Sequence, residues 1–222
     1  MNNSTPPSPS PAAGPKFRRR AEARPEEVLD AALALFVERG YTHTTVDQIA
    51  RSAGISKGAV YLYFPSKKAL LEGLVRRAIG PVAAFAQGLI GGAQGDPRPL
   101  IARFLRMIAT ALSDPHTLSV PKLVIREAMA APEIAKLYHD EVLASSIPAM
   151  QRLIAAGVAG GYIRPIDPEM AVRCVVGPLV AHILLSEVFG VTPADGLAID
   201  RLIETHLAIL LAGLDPETEP SK

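Results

Sequence analysis

Lys57, Gly58, Ala59, Tyr61 and Leu62 fall within six consecutive residues and differ from their neighbours in kind: one ammonium, one phenol, and otherwise small or flat groups. Displayed on one helix, they make a face that can be pressed deep into a DNA major groove, which is about 12 Å wide. Lys57, Gly58 and Tyr61 are then the residues that approach base edges. A helix buried at a corner of an all-α domain is the alternative, and the flanking residues decide against it.

Those flanks specify two short helices meeting at a sharp angle. Thr45 with Gln48 three residues on has the form of a capping box, in which each side chain satisfies a backbone amide of the other, so a helix starts at Val46. Gly54 supplies the left-handed residue that ends it and turns the chain. Ser56 caps a second helix from Lys57 to about Phe64, and Pro65 ends it by forcing the preceding residue out of helical geometry. Val46, Ile49, Ala50, Ala53, Ile55, Val60 and Tyr63 all face inward if the helices cross steeply. This is the pattern of a helix-turn-helix.

The stretch from Val28 through the run AALALFVERGYTHTTVDQIARSAGISKGAVYLYFPSKKALLEGLV, which begins at Ala31, closely resembles, without gaps, the N-terminal domain of the tetracycline-repressor (TetR) family of transcription regulators. Phe36 and Gly40, the Thr44-Thr45 pair, the AxxAGxSxGxxYxYF core and Ser66-Lys67 carry the resemblance. It implies an all-α fold, with an N-terminal three-helix helix-turn-helix DNA-binding domain joined to a C-terminal helical ligand-binding and dimerisation domain. It further implies phosphate contacts from Thr44, Tyr63 and Lys67, with the amide ends of the helices capped by Thr45 and Ser56 adding to that grip. The function expected is a sequence-specific DNA-binding regulator, a homodimer on a near-palindromic double-stranded operator, repressing until a small apolar effector releases it. The alternative is a helical ligand-binding or protein-interaction module that retains the head without controlling a promoter.

Charge is divided in the same way. Residues 16–80 carry 12 Lys and Arg against 7 Asp and Glu, while residues 81–222 carry 11 against 15, so a basic head sits on an acidic body. Residues 1–15 hold five prolines and no charge, and with the basic run Lys16, Arg18, Arg19 and Arg20 they are expected to form a disordered basic arm over 1–24. The head is placed at 25–66, the body at 67–214 and a tail at 215–222. Within the head, Pro25 followed by Glu26 and Glu27 marks a helix start, and Gly40 its end. A fourth helix is expected from Ser66 to about Ile79, interrupted by Gly80-Pro81.

The body reads as helices at 99–112, 121–129, 133–157 with a kink or split at Pro148, 168–189 and 197–214. The apolar run from Cys174 to Leu185 is about twelve residues against the roughly twenty of a membrane span, so no membrane partner is expected. One cysteine excludes an internal disulfide, and the lack of a secretory signal fits a cytoplasmic setting. The five histidines lack metal-ligand spacing, and no serine sits in a Gly-x-Ser-x-Gly turn, so no metal, cofactor or enzymatic activity is expected.

With no Trp and few aromatics, an effector pocket would be lined by aliphatic side chains and methionine. Phe104, Met107, Ile108, Leu123, Arg126 and Met150 are the candidates, with Met129 also near. Arg126 with Glu127 is more plainly an exposed pair on an amphipathic helix, and Arg126 is carried as a pocket candidate because its neighbours are apolar. The last two long helices are apolar nearly all round and must be covered on both sides. A two-fold pairing through Val175, Leu179, Ile183, Leu202 and Leu210 is the expected dimer interface.

Overall fold

The computed structural model describes the backbone of residues 16–92 and 95–216. Ten α-helices follow in order: α1 (Lys16–Arg39), α2 (Val46–Ser52), α3 (Lys57–Tyr63), α4 (Lys67–Gly92), α5 (Arg98–Leu112), α6 (Pro115–Glu127), α7 (Pro132–Tyr138), α8 (Ala144–Ala159), α9 (Pro168–Glu187) and α10 (Ile199–Leu214). A π-helical turn, His139–Leu143, joins α7 to α8. The fold is all-α among the described residues, with the helix-turn-helix at its N-terminal end.

The head forms as its local signals require. Thr45 Oγ1 accepts from the Gln48 amide at 3.3 Å while Gln48 Oε1 accepts from the Thr45 amide at 2.8 Å, closing the capping box. At the other end of α2, Gly54 takes φ +66°. The Ile55 amide then reaches back to the Ala50 carbonyl (3.0 Å) and the Gly54 amide to that of Arg51 (3.2 Å), a Schellman closure that aims the chain into α3. Ser56 Oγ accepts from the Ala59 amide, and α3 stops at Tyr63, with Phe64 extended ahead of Pro65. Val28, Ala32, Phe36, Ile49, Val60, Leu70 and Leu74 close one core, each 0% exposed.

Three helix boundaries differ from expectation, each at a proline. The first helix starts at Lys16 rather than Pro25, so residues 16–24, assigned to a disordered arm, are helical. Ala21, Glu22, Ala23 and Arg24 are good helix formers, and the helix continues through Pro25 although the proline removes one backbone donor. The remaining tail positions, 1–15 and 217–222, lie outside the described residues. Pro81 likewise sits inside α4, which runs unbroken from the head into the body and packs on α1 and α6 at one end and α5 and α8 at the other. Helix α6 begins at Pro115, capped by Asp114, whose Oδ2 accepts from the Thr117 amide at 2.8 Å, so Pro121 is internal. The break expected at Pro148 does not occur there: Pro148 lies inside α8, and the helix changes winding earlier, in the π turn. The carbonyl that the proline ring crowds belongs to Ala144, and there the backbone leaves the π turn for α8.

Helix α9 is 20 residues long with a mean hydropathy of 1.5, so by length and composition it could cross a membrane, contrary to the shorter span read from the sequence. It lays Val172, Val175, Leu179 and Ile183 into a second core shared with α5, α8 and α10. Val82 of α4 packs against both cores and so bridges head and body.

Candidate nucleic-acid interface and effector cavity

Only Val60 of α3 is buried, and the rest of the helix is offered outward. Leu62 is 84% exposed, and Tyr61, Tyr63, Lys57 and Gly58 are exposed around it. Lys57 Nζ pairs with Asp47 at 3.2 Å across a solvated gap, an interaction weak enough to be exchanged for a phosphate or a base edge. Thr45 and Ser56 are exposed and hold the N-termini of α2 and α3.

Two residues expected at phosphates hold backbone carbonyls of the head. Thr44 is 1% exposed, and its hydroxyl donates to the Gly40 carbonyl at 2.8 Å, with the Leu35 carbonyl at 3.2 Å. The Gly40 carbonyl lies just past the end of α1, so the Thr44 hydroxyl is engaged in closing that helix. Lys67 Nζ donates to the carbonyls of Tyr41 (2.8 Å) and Thr42 (3.2 Å) and lies 4.4 Å from the centre of the Tyr41 ring. Burial pushes its pKa below the ordinary lysine value, with Glu133 and Glu127 opposing. Lys67 staples the α1–α2 loop to the start of α4, leaving one N–H for another acceptor. The same loop buries Tyr41, whose phenol is raised by desolvation and then by Glu133 and Glu72.

The end of α1 is also gripped from the body. Glu127 Oε2, at the last residue of α6, accepts from the Tyr41 amide at 3.1 Å, and Arg126 Nη2 donates to the Val37 carbonyl at 3.2 Å. These bonds join residues 86 and 89 positions apart. Sequence reasoning did not find this clasp, because nothing local marks a carboxylate whose partner is a distant amide. Arg126 is thereby corrected: it touches α1 and not the cavity.

The cavity itself lies among α4, α5, α6, the α7–π–α8 stretch and α9, with a volume of about 380 Å³. Phe104, Ile108 and Met150 line it as expected. The other candidates do not: Met107 packs beside the second core, Leu123 is fully buried in the head core, and Met129 is 93% exposed. Periodicity finds apolar residues but not which of two cores each one joins. Helix α6 therefore has two sides. Pro121, Val124, Ile125 and Ala128 beyond its end face the cavity, while Leu123, Arg126 and Glu127 hold the head.

The interface residues require the same correction. Val175, Leu179, Ile183 and Leu210 are buried within the chain's own core, and Leu202 is partly buried. The large apolar side chains left exposed on these helices are Met170, Val180, Leu184, Leu185 and Ile209, and an open apolar groove runs between α9 and α10 past Cys174 and Pro178. His182 and His206 each meet a backbone carbonyl, of Leu197 at 2.6 Å and Val175 at 3.0 Å.

A capped helix-turn-helix with an outward second helix, fixed to a helical body, defines a DNA-binding regulator. Residues 28–74 match the model of the bacterial regulatory proteins, tetR family, and residues 95–205 match that of the tetracyclin repressor-like C-terminal domain. The chain belongs to the TetR family and is a helix-turn-helix transcriptional regulator. It is 29% identical over 212 residues to the regulator RutR of Escherichia coli O157:H7, covering 90% of this chain and 95% of that one. With the repressor KstR2 of Rhodococcus jostii it shares 28% over 229 residues, 95% and 97% of the two chains. In fold it resembles SmeT, the repressor of the Stenotrophomonas maltophilia multidrug efflux pump SmeDEF, with a TM-score of 0.69, 23% identity and coverage of 89% and 96%.

Proposed function

We propose that the protein is a cytoplasmic homodimeric repressor that leaves a near-palindromic operator when a small apolar molecule fills the cavity. The observation that carries this reading is the two-sidedness of α6. A molecule pressing on Pro121, Val124 and Ile125 displaces the same helix whose last two residues hold the end of α1. Helix α1 packs on α2, and α2 on α3, so a shift of the clasp is a shift of the recognition helix. In a dimer this alters the separation of two heads that must sit about 34–36 Å apart to read one face of the duplex.

The exposed apolar side chains of α9 and α10 support a two-fold pairing of those helices, in which Met170, Val180, Leu184, Leu185 and Ile209 are covered by their counterparts. Tyr61, Lys57 and Gly58 approach base edges. Tyr63, the capped amides and the remaining Lys67 N–H take phosphates. Salt-dependent gel shifts with the DNA upstream of the protein's own gene test the reading. A repressor prefers that DNA strongly over random duplex. A module that does not control a promoter binds both alike, with the same salt slope.

A further inference from the structure

The polarity of the cavity narrows what can fill it. Of the 25 described residues lining it, only Thr117, Tyr138 and Ser146 carry a polar side-chain N or O atom, and none of the 25 is Asp, Glu, Lys, Arg or His. Two of the three are already engaged. Ser146 Oγ donates to the Val142 carbonyl at 2.7 Å, and Thr117 lies in the capping turn of α6, its hydroxyl beside the Asp114 carboxylate. The ion pair between α6 and α9, Lys122 with Glu187 at 2.8 Å, does not line the cavity.

Tyr138 is different. Its hydroxyl has no hydrogen-bond partner among the described residues, yet it is not sealed off by protein atoms, since no buried side-chain N or O atom there lacks a partner. Desolvation pushes its pKa up to about 12, so the group is a neutral phenol and keeps its proton to donate. It stands at the junction of α7 and the π turn, whose wider winding brings Val142 and Leu143 to the same wall. Tyr138 lines the cavity, and a hydroxyl with no protein partner can donate to an acceptor on a ligand. A charged group in the same space would find no counter-charge.

We propose that the effector is an uncharged, mainly hydrocarbon molecule bearing one hydrogen-bond acceptor, such as a carbonyl oxygen, that accepts a hydrogen bond from the Tyr138 hydroxyl. About 380 Å³ is the volume of roughly a dozen water-sized groups at about 30 Å³ each, which sets the size class. This inference rests on the reading of the cavity as the effector site.

The test is isothermal titration of the full chain with four matched ten-carbon-chain probes: 2-decanone, its hydrocarbon isostere 2-methyl-1-decene, decanoate and decylammonium. Wild-type protein should bind the ketone about ten-fold more tightly than Tyr138→Phe does, one neutral hydrogen bond in a desolvated site. The isostere should bind the two proteins alike, and both ions should bind wild type at least about a hundred-fold more weakly than the ketone does. In wild type alone, the carbonyl stretch of bound ¹³C-labelled ketone should fall below its frequency in hexane, a readout that does not depend on the variant folding. Equal ketone affinity in both proteins, an unshifted stretch, decanoate matching the ketone, or no binding of either neutral probe overturns the proposal. Operator release is read separately by fluorescence anisotropy. If the ketone binds through Tyr138 while the operator stays bound, the ligand chemistry stands and the effector reading fails. If a charged compound releases the operator from the cavity, the effector reading stands and the proposed chemistry fails.

Discussion

Replacing Glu127 by Ala should uncouple the cavity from the head. The carboxylate accepts the amide of Tyr41, a residue 4% exposed, so truncation removes a charge-assisted bond and leaves a largely buried donor unpaired. Hydrogen bonds to charged groups contribute about 1.5–3 kcal/mol, equivalent to roughly 10–150-fold in an equilibrium constant. Allosteric couplings are typically about 1–3 kcal/mol, so this one contact is large enough to carry the whole signal. The assay is anisotropy of labelled operator with and without saturating 2-decanone, read as a ratio of dissociation constants. In Glu127→Ala the ratio should collapse toward one, with a loss of roughly 3–8 °C in Tm. Glu127→Gln keeps an amide oxygen as acceptor and should retain most of the ratio. Gly40→Ala approaches the clasp from the other side. The new Cβ would lie 3.1 Å from Glu127 Oε1, at a φ of +83° that strains any side chain, so it should weaken coupling as well as stability. An unchanged ratio in Glu127→Ala, alongside a folded protein that still binds the ketone, would refute the route through α6.

Lys67→Ala should lower Tm and change the salt slope of DNA binding by less than about 0.9, the value for one lost phosphate contact, because its ammonium is mostly spent on loop carbonyls. A full loss of about 0.9 with Tm unchanged would return Lys67 to the phosphates. Tyr61→Ala should weaken operator binding by about 1–3 kcal/mol and leave random DNA nearly unaffected, measured by competition. Leu185→Asp or Ile209→Asp should give folded monomers by sedimentation, whereas Leu210→Asp, in the core, should unfold the body; a folded monomer from Leu210→Asp would reverse that assignment. The Glu141 carboxyl is held below the ordinary range first by its hydrogen bonds from Arg76, at 2.8 and 2.7 Å. A depressed carboxylate stabilises fully above its unfolded pKa and loses that contribution as pH falls through the folded value. Urea midpoints from about pH 6 downward should therefore fall less steeply in Glu141→Gln than in wild type; parallel curves would deny the pair a role.

The head was legible because its information is local. A Thr and a Gln three apart, a Gly past the last helical residue and a Pro after Phe64 each dictate a hydrogen bond or forbid one within a turn of chain, and α2 and α3 follow. Prolines were read too strictly. Pro25, Pro81 and Pro121 each remove a single donor, and the flanking residues carry the helix through. The carbonyl contacts of Thr44 and Lys67 are not legible in the sequence, because a hydroxyl and an ammonium serve a carbonyl as well as a phosphate, and only packing shows which carbonyls are in reach. Val175, Leu179 and Ile183 were assigned to a partner and lie in the chain's own core, because a helix apolar nearly all round does not reveal which face meets its own body. The clasp of Glu127 and the free hydroxyl of Tyr138 have no signature at all in the linear order, since each is defined by partners far along the chain or by the lack of one.

The head does not own its core. Val120 and Leu123 of α6 and Ile134 and Leu137 of α7 complete the apolar cluster formed by Val28, Phe36, Ile49, Val60 and Leu70. A fragment cut after α4 would therefore carry a bare apolar face where those helices belong, and its DNA-reading surface would rest on an unfinished interior. The same holds for exchange of parts between related regulators. On the proposed reading, the outward residues of α3 can be changed without touching this core, whereas moving the entire head requires α6 and α7 to travel with it. Recombination at the apparent junction between head and body is thus penalised by packing, and divergence in what such a protein reads is channelled into substitution on one seven-residue helix.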